Sequence, residues 1–253
     1  MLNNKKVFAI IMAGGKGTRI GATDKPKAMF EVAGKPIIEW AIRPLEKLKQ
    51  DGIVDRIIVV VGFFGEYIVD YLGERAEFVW QKEQLGTGHA AKQAENLIST
   101  EDGLTIITNG DHPLYRSSTY LNGLEEATKS GATLTLGIVK DPVRFNDYGR
   151  VIRGQDGKVS RVIELKNATE EQKQIEERNP NLYVADNKWL FEALKKVKMN
   201  PLKKEYYLTD IIEIAVEEGR EVATAKIGDM NEALGINTPE DLKEAETLLT
   251  GRK

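Results

Sequence analysis

The sequence predicts an α/β fold, a mostly parallel (mixed) sheet with helices on both faces. Three observations carry that reading. The run Val7-Phe8-Ala9-Ile10-Ile11-Met12 is continuously apolar, the pattern of a strand buried on both faces. Short apolar runs then alternate with helical patterns in a βαβα order, which calls for crossover connections and parallel pairing. Gly14, Gly15 and Gly17 follow the first run directly, where the backbone must turn sharply at the carboxyl end of a strand.

Taken in order, Val7–Met12 reads as a strand. Pro36 opens a helix through about Gln50, with Ile37, Ile38, Ala41, Ile42, Leu45 and Leu48 at helical spacing. Ile57–Val61 is a strand, Glu66–Leu72 a short helix, and Ala76–Trp80 a strand. Gly88–Ile98 reads as one helix. Leu104–Thr108 is a strand ending at Asn109-Gly110-Asp111, Ser117–Lys129 a helix, and Ala132–Val139 a strand. From about Lys140 the pattern changes. Two runs, Tyr148–Ile152 and Val159–Glu164, flank Gly154-Gln155-Asp156-Gly157, which signals a hairpin. Ala168–Glu177 is charged and reads as helical, Tyr183–Ala185 as extended and Lys188–Leu194 as helical. Thr209–Glu218 is a helix, Glu221–Ala225 a strand and Pro239–Leu249 a closing helix. Trp40, Trp80 and Trp189 read as core or half-buried.

The chain has 253 residues, enough for a full core, with 41% hydrophobic and 30% charged residues, an ordinary globular balance. No repeat, linker or low-complexity segment divides it, so a single domain over 1–253 is expected. A first half spans about 1–139, a lobe about 140–237, and the closing helix 239–249. The net charge of −3 does not favour a nucleic-acid polymer or an anionic membrane. The absence of cysteine removes disulfides, thiolate metal sites and cysteine nucleophiles. No apolar run approaches a bilayer span or a signal peptide, so a cytoplasmic location is expected.

The chemistry concentrates at the glycine loop. Backbone N–H groups in such a turn converge on phosphate oxygens. Lys16 and Arg19 add charge there, and Lys27 follows within Asp24-Lys25-Pro26-Lys27. The simplest ligand is a polyphosphate. A P-loop would need Ser or Thr after Lys16, where Gly17 stands. A dinucleotide fingerprint would need Gly at Ile20 and an acid closing the second strand, which instead ends in Gly62-Phe63-Phe64. Asp111, at the end of another strand, suits Mg²⁺, a hard cation that takes carboxylate and phosphate oxygens. An Asx-type turn capping the next helix is an equal reading of that residue taken alone. Gln81 offers an amide for a base or sugar edge. Gly86, Thr87 and Gly88 open a helix with exposed donors, and Thr87 reads equally as its cap. His89 and His112 lack metal spacing and read as structural or peripheral. Tyr148, Gly149, Glu164, Asn179 and Asn237 lie near the ends of apolar segments, and no spacing rule makes them a site. Glu205–Asp210 reads as packing plus capping.

Five segments together resemble one family. They are Met12–Arg19 with Lys25-Pro26-Lys27, Gln84–Ala90, Gly110–Leu114, Ile163-Glu164 with Asn167–Gln172, and Glu205–Ile212. From about Val7 to Asn237 the chain resembles the N-terminal uridyltransferase domain of the GlmU family of N-acetylglucosamine-1-phosphate uridyltransferases, within the sugar-nucleotidyltransferase superfamily. The resemblance implies a Rossmann-like sheet of the nucleotide-diphospho-sugar transferase type with a small sugar-binding lobe. It implies a nucleotidyltransferase that makes UDP-N-acetylglucosamine from UTP and a sugar 1-phosphate in amino-sugar and cell-wall precursor metabolism. It assigns catalytic roles to Arg19, Lys27 and Asp111, and Mg²⁺ to Asp111 and Asn237. Nucleotide contacts fall to Ala13, Gly14, Gly15, Gly17, Thr18, Gln81, Gly86, Thr87, Asn109 and Gly110. The amino sugar falls to Tyr148, Gly149, Glu164 and Asn179. Asn109 departs from the family's aromatic, and Pro180-Asn181 from its Thr-Gly. The hexapeptide-repeat acetyltransferase β-helix has no counterpart within these residues. Acetyl transfer is therefore expected of a separate partner in the same pathway. Another sugar 1-phosphate or nucleotide is the alternative within the class, and a non-catalytic sugar-nucleotide-binding regulator the alternative outside it.

Overall fold

The computed structural model describes residues 5–201 and 203–251. The described residues build a 10-stranded mixed sheet. Its parallel half runs in the order β5 (Glu77–Trp80), β4 (Arg56–Val61), β1 (Lys6–Met12), β6 (Gly103–Asn109). Each of these strands lies within about a residue of its expected span. Two short ribbons, β2 (Glu31–Val32) with β3 (Lys35–Pro36) and β12 (Met199–Asn200) with β13 (Glu205–Tyr206), add to the reading.

The continuous apolar runs are explained by burial on both faces. From β1, Val7, Ala9 and Ile11 face α1 (Ile37–Gln50), α2 (Glu66–Leu72) and α5 (Ser117–Ser130). Phe8, Ile10 and Met12 face the opposite core, built from α3 (Thr87–Lys92), α4 (Glu95–Ile98), α7 (Asn187–Lys196) and α8 (Asp210–Glu217). Alternate residues of one strand thus fill two cores.

The antiparallel character enters beyond β6. One bent extended segment supplies both β10 (Glu177–Asn179) and β11 (Tyr183–Asp186). β11 pairs antiparallel with β6 and with β7 (Leu134–Lys140). β10 pairs with β7 and with β8 (Gly149–Arg153), which forms the expected hairpin with β9 (Val159–Ile163). The bend lies at Pro180-Asn181, where Asn181 adopts φ of 56°. Asn tolerates this left-handed conformation better than most side chains. β14 (Val222–Lys226) pairs parallel with β7. α9 (Pro239–Thr250) docks on a third cluster with Val32, Ile37, Leu114 and Ile236.

Four sequence expectations fail. The helix over 88–98 is two short helices, because Gln93 and Ala94 bond three residues back to Ala90 and Ala91 and tighten the chain. The charged stretch 168–177 is helical only at α6 (Glu170–Lys173), and Glu177 belongs to β10. There Arg178 is fully buried and donates to the carbonyls of Phe145 and Lys173, so tertiary contacts override the local charge pattern. Trp80 is 40% exposed, being on the edge strand β5. Trp189 is buried and Trp40 half-buried, as expected. Thr87 does not cap α3; Gly86 holds the N-cap position without a side-chain bond.

Candidate active site

The glycine loop leaves β1 at the carboxyl edge of the sheet. Ala13 N–H still donates to Val60 O at 2.8 Å. Among the described residues, the N–H groups of Gly14, Gly15, Lys16 and Gly17 then donate to no protein acceptor. Successive free donors at a turn are what an anion-binding concavity requires. Gly14 is required by close approach, since a Cβ there would stand 2.8 Å from Gln81 Oε1. Gly17 is required twice, by φ of 65° and by Lys27, whose Cβ would lie 2.7 Å from its own. Gly15 is open to solvent. Thr18 begins a single 3₁₀ turn that carries Arg19.

Across the edge, β6 ends at Asn109, in register with Met12. Gly110 N–H donates to Met12 O, and its Cα packs against Ala13. Asp111 follows. Its carboxylate does not cap α5, whose N-cap is Arg116. One oxygen instead accepts from Lys27 and the other from His112 Nδ1 at 2.8 Å. Burial pushes the Asp111 carboxyl up, but Lys27 and His112 outweigh it and leave it below the ordinary carboxylate range.

Asn237 arrives from the far end of the chain. Thr238 and Asp241 form a capping box at the start of α9, and Asp241 also accepts from Asn237 N–H at 2.8 Å. Ile236 N–H donates to Asp111 O at 2.8 Å, so the two loops are stitched together. Asn237 Oδ1 accepts from Lys27 Nζ at 3.0 Å and from Arg19 at 2.9 Å. Arg19, Lys27, Asp111 and Asn237 thus converge at the mouth of the glycine loop. The oxygens of Asp111 and Asn237 both face the Lys27 ammonium. One carboxylate and one amide oxygen directed at a common cation fit Mg²⁺, which completes its shell with water and phosphate.

On the other side of Gly14, Gln81 is buried and donates to Gly86 O at 3.0 Å, with His89 Nδ1 at 3.2 Å. Gly86 is held at φ of 96° against the Tyr206 backbone. The Thr87 hydroxyl accepts from Leu208 N–H at 3.0 Å, joining this loop to the segment before α8.

In the lobe, Gly149 and Glu164 are neighbours; a Cβ on Gly149 would lie 3.8 Å from Glu164 Oε1. Glu164 lines a cavity of about 350 Å³ with Tyr207, Thr209 and Asp210. Sequence reasoning missed these three as site residues; Thr209 makes no side-chain cap and instead donates to Glu164 at 3.4 Å. Burial pushes the Glu164 carboxyl up. Burial, with Glu213 nearby, pushes Asp210 up to about 6. The Tyr148 hydroxyl is spent on the 233–235 loop, donating to Ala233 O at 2.7 Å and accepting from Gly235 N–H at 2.9 Å. Asn179 is buried, donating to Gly137 O and accepting from Tyr183. His112, expected to be structural or peripheral, is structural, 3% exposed beside Asp111.

An α/β sheet whose carboxyl edge carries a free-donor glycine loop, two cations and a buried acid is the framework of a nucleotide-binding protein. The comparisons narrow this. The family model described as Nucleotidyl transferase matches residues 8–245. The chain is 40% identical to the bifunctional protein GlmU of Exiguobacterium sibiricum, over 97% of this chain and 53% of that protein. It is 39% identical to the GlmU of Streptococcus agalactiae, over 97% of this chain and 52% of that protein. The chain spans about half the length of the curated relatives it matches. A solved UDP-glucose pyrophosphorylase complexed with UDP-glucose shares the fold, with a TM-score of 0.78 at 19% identity over 98% of this chain and 100% of that one. The chain belongs to the nucleotidyl transferase family. No helix among the described residues is long and apolar enough to cross a membrane.

Proposed function

We propose that this chain transfers uridylyl from UTP to N-acetylglucosamine 1-phosphate, releasing pyrophosphate and UDP-N-acetylglucosamine. The observation that carries the reading is the convergence of Arg19, Lys27, Asp111 and Asn237 on the mouth of the Gly14–Gly17 loop. The identity to proteins named GlmU supports the choice of nucleotide and sugar.

In the proposed reaction an oxygen of the sugar phosphate attacks the α-phosphorus of UTP. The new P–O bond forms as the bond to the β-phosphate oxygen breaks, and that electron pair leaves with pyrophosphate. The nucleophile is already ionised at neutral pH, so no general base is needed. The obstacles are charge repulsion and alignment, which positioned cations and donors lower. The loop N–H groups of Gly14, Gly15 and Gly17, with Thr18, hold the triphosphate. Arg19, 62% exposed, swings onto the leaving pyrophosphate. Lys27 neutralises the nucleotide phosphate. Asp111 and Asn237 would hold Mg²⁺, which when bound would neutralise phosphate charge further. Ala13, Gln81, Gly86, Thr87, Asn109 and Gly110 wall the nucleoside. Gly149 and Glu164 face the amino sugar, with Tyr148 and Asn179 bracing that wall. The nucleotide half is residues 1–139 and the sugar lobe 140–237, closed by 239–249.

Pyrophosphate release from UTP and Mg²⁺, with N-acetylglucosamine 1-phosphate or glucose 1-phosphate as acceptor, tests the reading. Release with the acetamido sugar alone supports it. Release with glucose 1-phosphate alone keeps the chemistry and overturns the sugar. Silence with every sugar and nucleotide leaves a binding protein.

A further inference from the structure

His112 is buried one residue beyond Asp111. Its Nδ1 lies 2.8 Å from Asp111 Oδ1, while Asp111 Oδ2 accepts from Lys27. The two carboxylate oxygens are therefore divided between two partners. The imidazole stacks on Tyr115, with ring centroids 5.2 Å apart and planes 5° from parallel. Tyr115 is itself anchored, its hydroxyl donating to Pro180 O at 3.1 Å. Gly235 approaches the Cε1–Nε2 side of the ring, where a Cβ would lie 2.8 Å from His112 Cε1 and 3.0 Å from Nε2. The ring thus touches both Tyr115 and the loop that delivers Asn237.

An ionised carboxylate only accepts hydrogen bonds, so the Nδ1 nitrogen carries the proton. Nε2 is buried and without a hydrogen-bond partner among the described residues. Buried polar atoms are ordinarily paired. A residue present only to pack against Tyr115 would serve better as Phe, which stacks as well and leaves no ring nitrogen unsatisfied. What the imidazole adds is the bond to Asp111.

We propose that His112 is a positioning residue that fixes the Asp111 carboxylate, so that Oδ2 is held toward Lys27 and Asn237 for a divalent cation. The inference rests on the reading of Asp111 and Asn237 as metal ligands. Partners of this kind, one bond removed from a metal, set ligand orientation, and losing one lowers metal affinity about 10- to 100-fold.

Three variants of the full chain test it: His112→Phe keeps the stacking, His112→Asn keeps an N–H donor near Nδ1, and Asp111→Asn reports on the metal site itself. Mn²⁺ affinity is read by electron paramagnetic resonance with a non-hydrolysable UTP analogue, against the analogue alone. Thermal melting checks folding, and steady-state kinetics give the Mg²⁺ requirement and the KM for sugar phosphate. The expected result is weaker Mn²⁺ binding and a higher Mg²⁺ requirement for His112→Phe, with the sugar-phosphate KM unchanged and His112→Asn near wild type. Wild-type Mn²⁺ affinity in His112→Phe, alongside its loss in Asp111→Asn, overturns the role of His112 alone. Failure of a folded His112→Asn to recover affinity does the same. Unchanged affinity in Asp111→Asn removes the metal-ligand reading and this inference with it.

Discussion

Replacing Lys27 by Met should change metal binding and turnover in opposite directions. The Lys27 ammonium contacts Asp111 and lies 3.0 Å from Asn237 Oδ1, so a lysine cation faces both oxygens proposed for Mg²⁺. The Lys27 and Asp111 side chains are 16% and 15% exposed, which limits solvent screening. A unit charge pair at about 4 Å carries roughly 4 kcal/mol at an effective dielectric constant near 20. Desolvation offsets part of that. Even a third of it, about 1.4 kcal/mol, is tenfold in an equilibrium constant. The nucleotide-free Lys27→Met protein should therefore bind Mn²⁺ at least about tenfold more tightly than wild type. With UTP and sugar phosphate, the same variant lacks a preorganised cation and should lose roughly 10²- to 10³-fold in kcat. It should also melt lower without metal, because the mostly buried Asp111 carboxylate loses its lysine and keeps only the His112 bond, and Mg²⁺ should restore part of the loss. Met keeps the length of the side chain, so the packing against Gly17 is retained. Calorimetric titration and pyrophosphate release measure the two effects. Unchanged Mn²⁺ affinity together with turnover within a few-fold of wild type refutes the reasoning.

Other changes test separate parts of the site. Arg19→Ala and Asp111→Ala should each lower turnover about a hundredfold or more in the pyrophosphate assay, and near-normal rates in both would remove their assigned roles. Asp210→Asn should raise the melting temperature at neutral pH. The wild-type carboxyl ionises near 3.8 when unfolded and near 6 when folded, so folded stability falls as pH rises through that window and stays reduced above it. The two proteins should melt together below about pH 4, and a difference that persists there contradicts the burial argument. Gly17→Ala should impair nucleotide binding, because the added Cβ meets Lys27 at 2.7 Å in a left-handed backbone; an unaltered KM for UTP would show that the loop adjusts.

Periodicity and glycine placement made the parallel half legible. Val7–Met12 and Ile57–Val61 announce burial on both faces, and Gly14 and Gly17 announce the turn that leaves β1. The second half was harder because its structure depends on contacts distant in sequence. Glu177 ends a charged stretch expected to be helical, yet Arg178 beside it is buried against carbonyls of Phe145 and Lys173 and Glu177–Asn179 is a strand. Thr87 and Thr209 have the residue type of helix caps, yet their hydroxyls serve Leu208 N–H and Glu164. The same limit governs the site. Arg19, Lys27 and Asp111 could be suspected from charge beside a glycine loop. Asn237 could not, since no local pattern brings residue 237 beside residue 27. Only family resemblance pointed to it.

The proposed site also draws its residues from segments far apart in the chain. Lys27 follows the first strand, Asp111 the sixth, and Asn237 precedes the last helix. None of these loops is held by its own sequence alone. Ile236 N–H bonds Asp111 O, Tyr148 bonds both sides of residue 234, and Tyr115 reaches Pro180 in the bent strand. These ties run from the nucleotide edge into the lobe that carries Gly149 and Glu164. A displacement of that lobe on binding a sugar phosphate would therefore pull on Tyr148, the 233–235 loop and Asn237 together. In the proposed reaction, Tyr148 thus ties the wall facing the acceptor to the loop that carries Asn237.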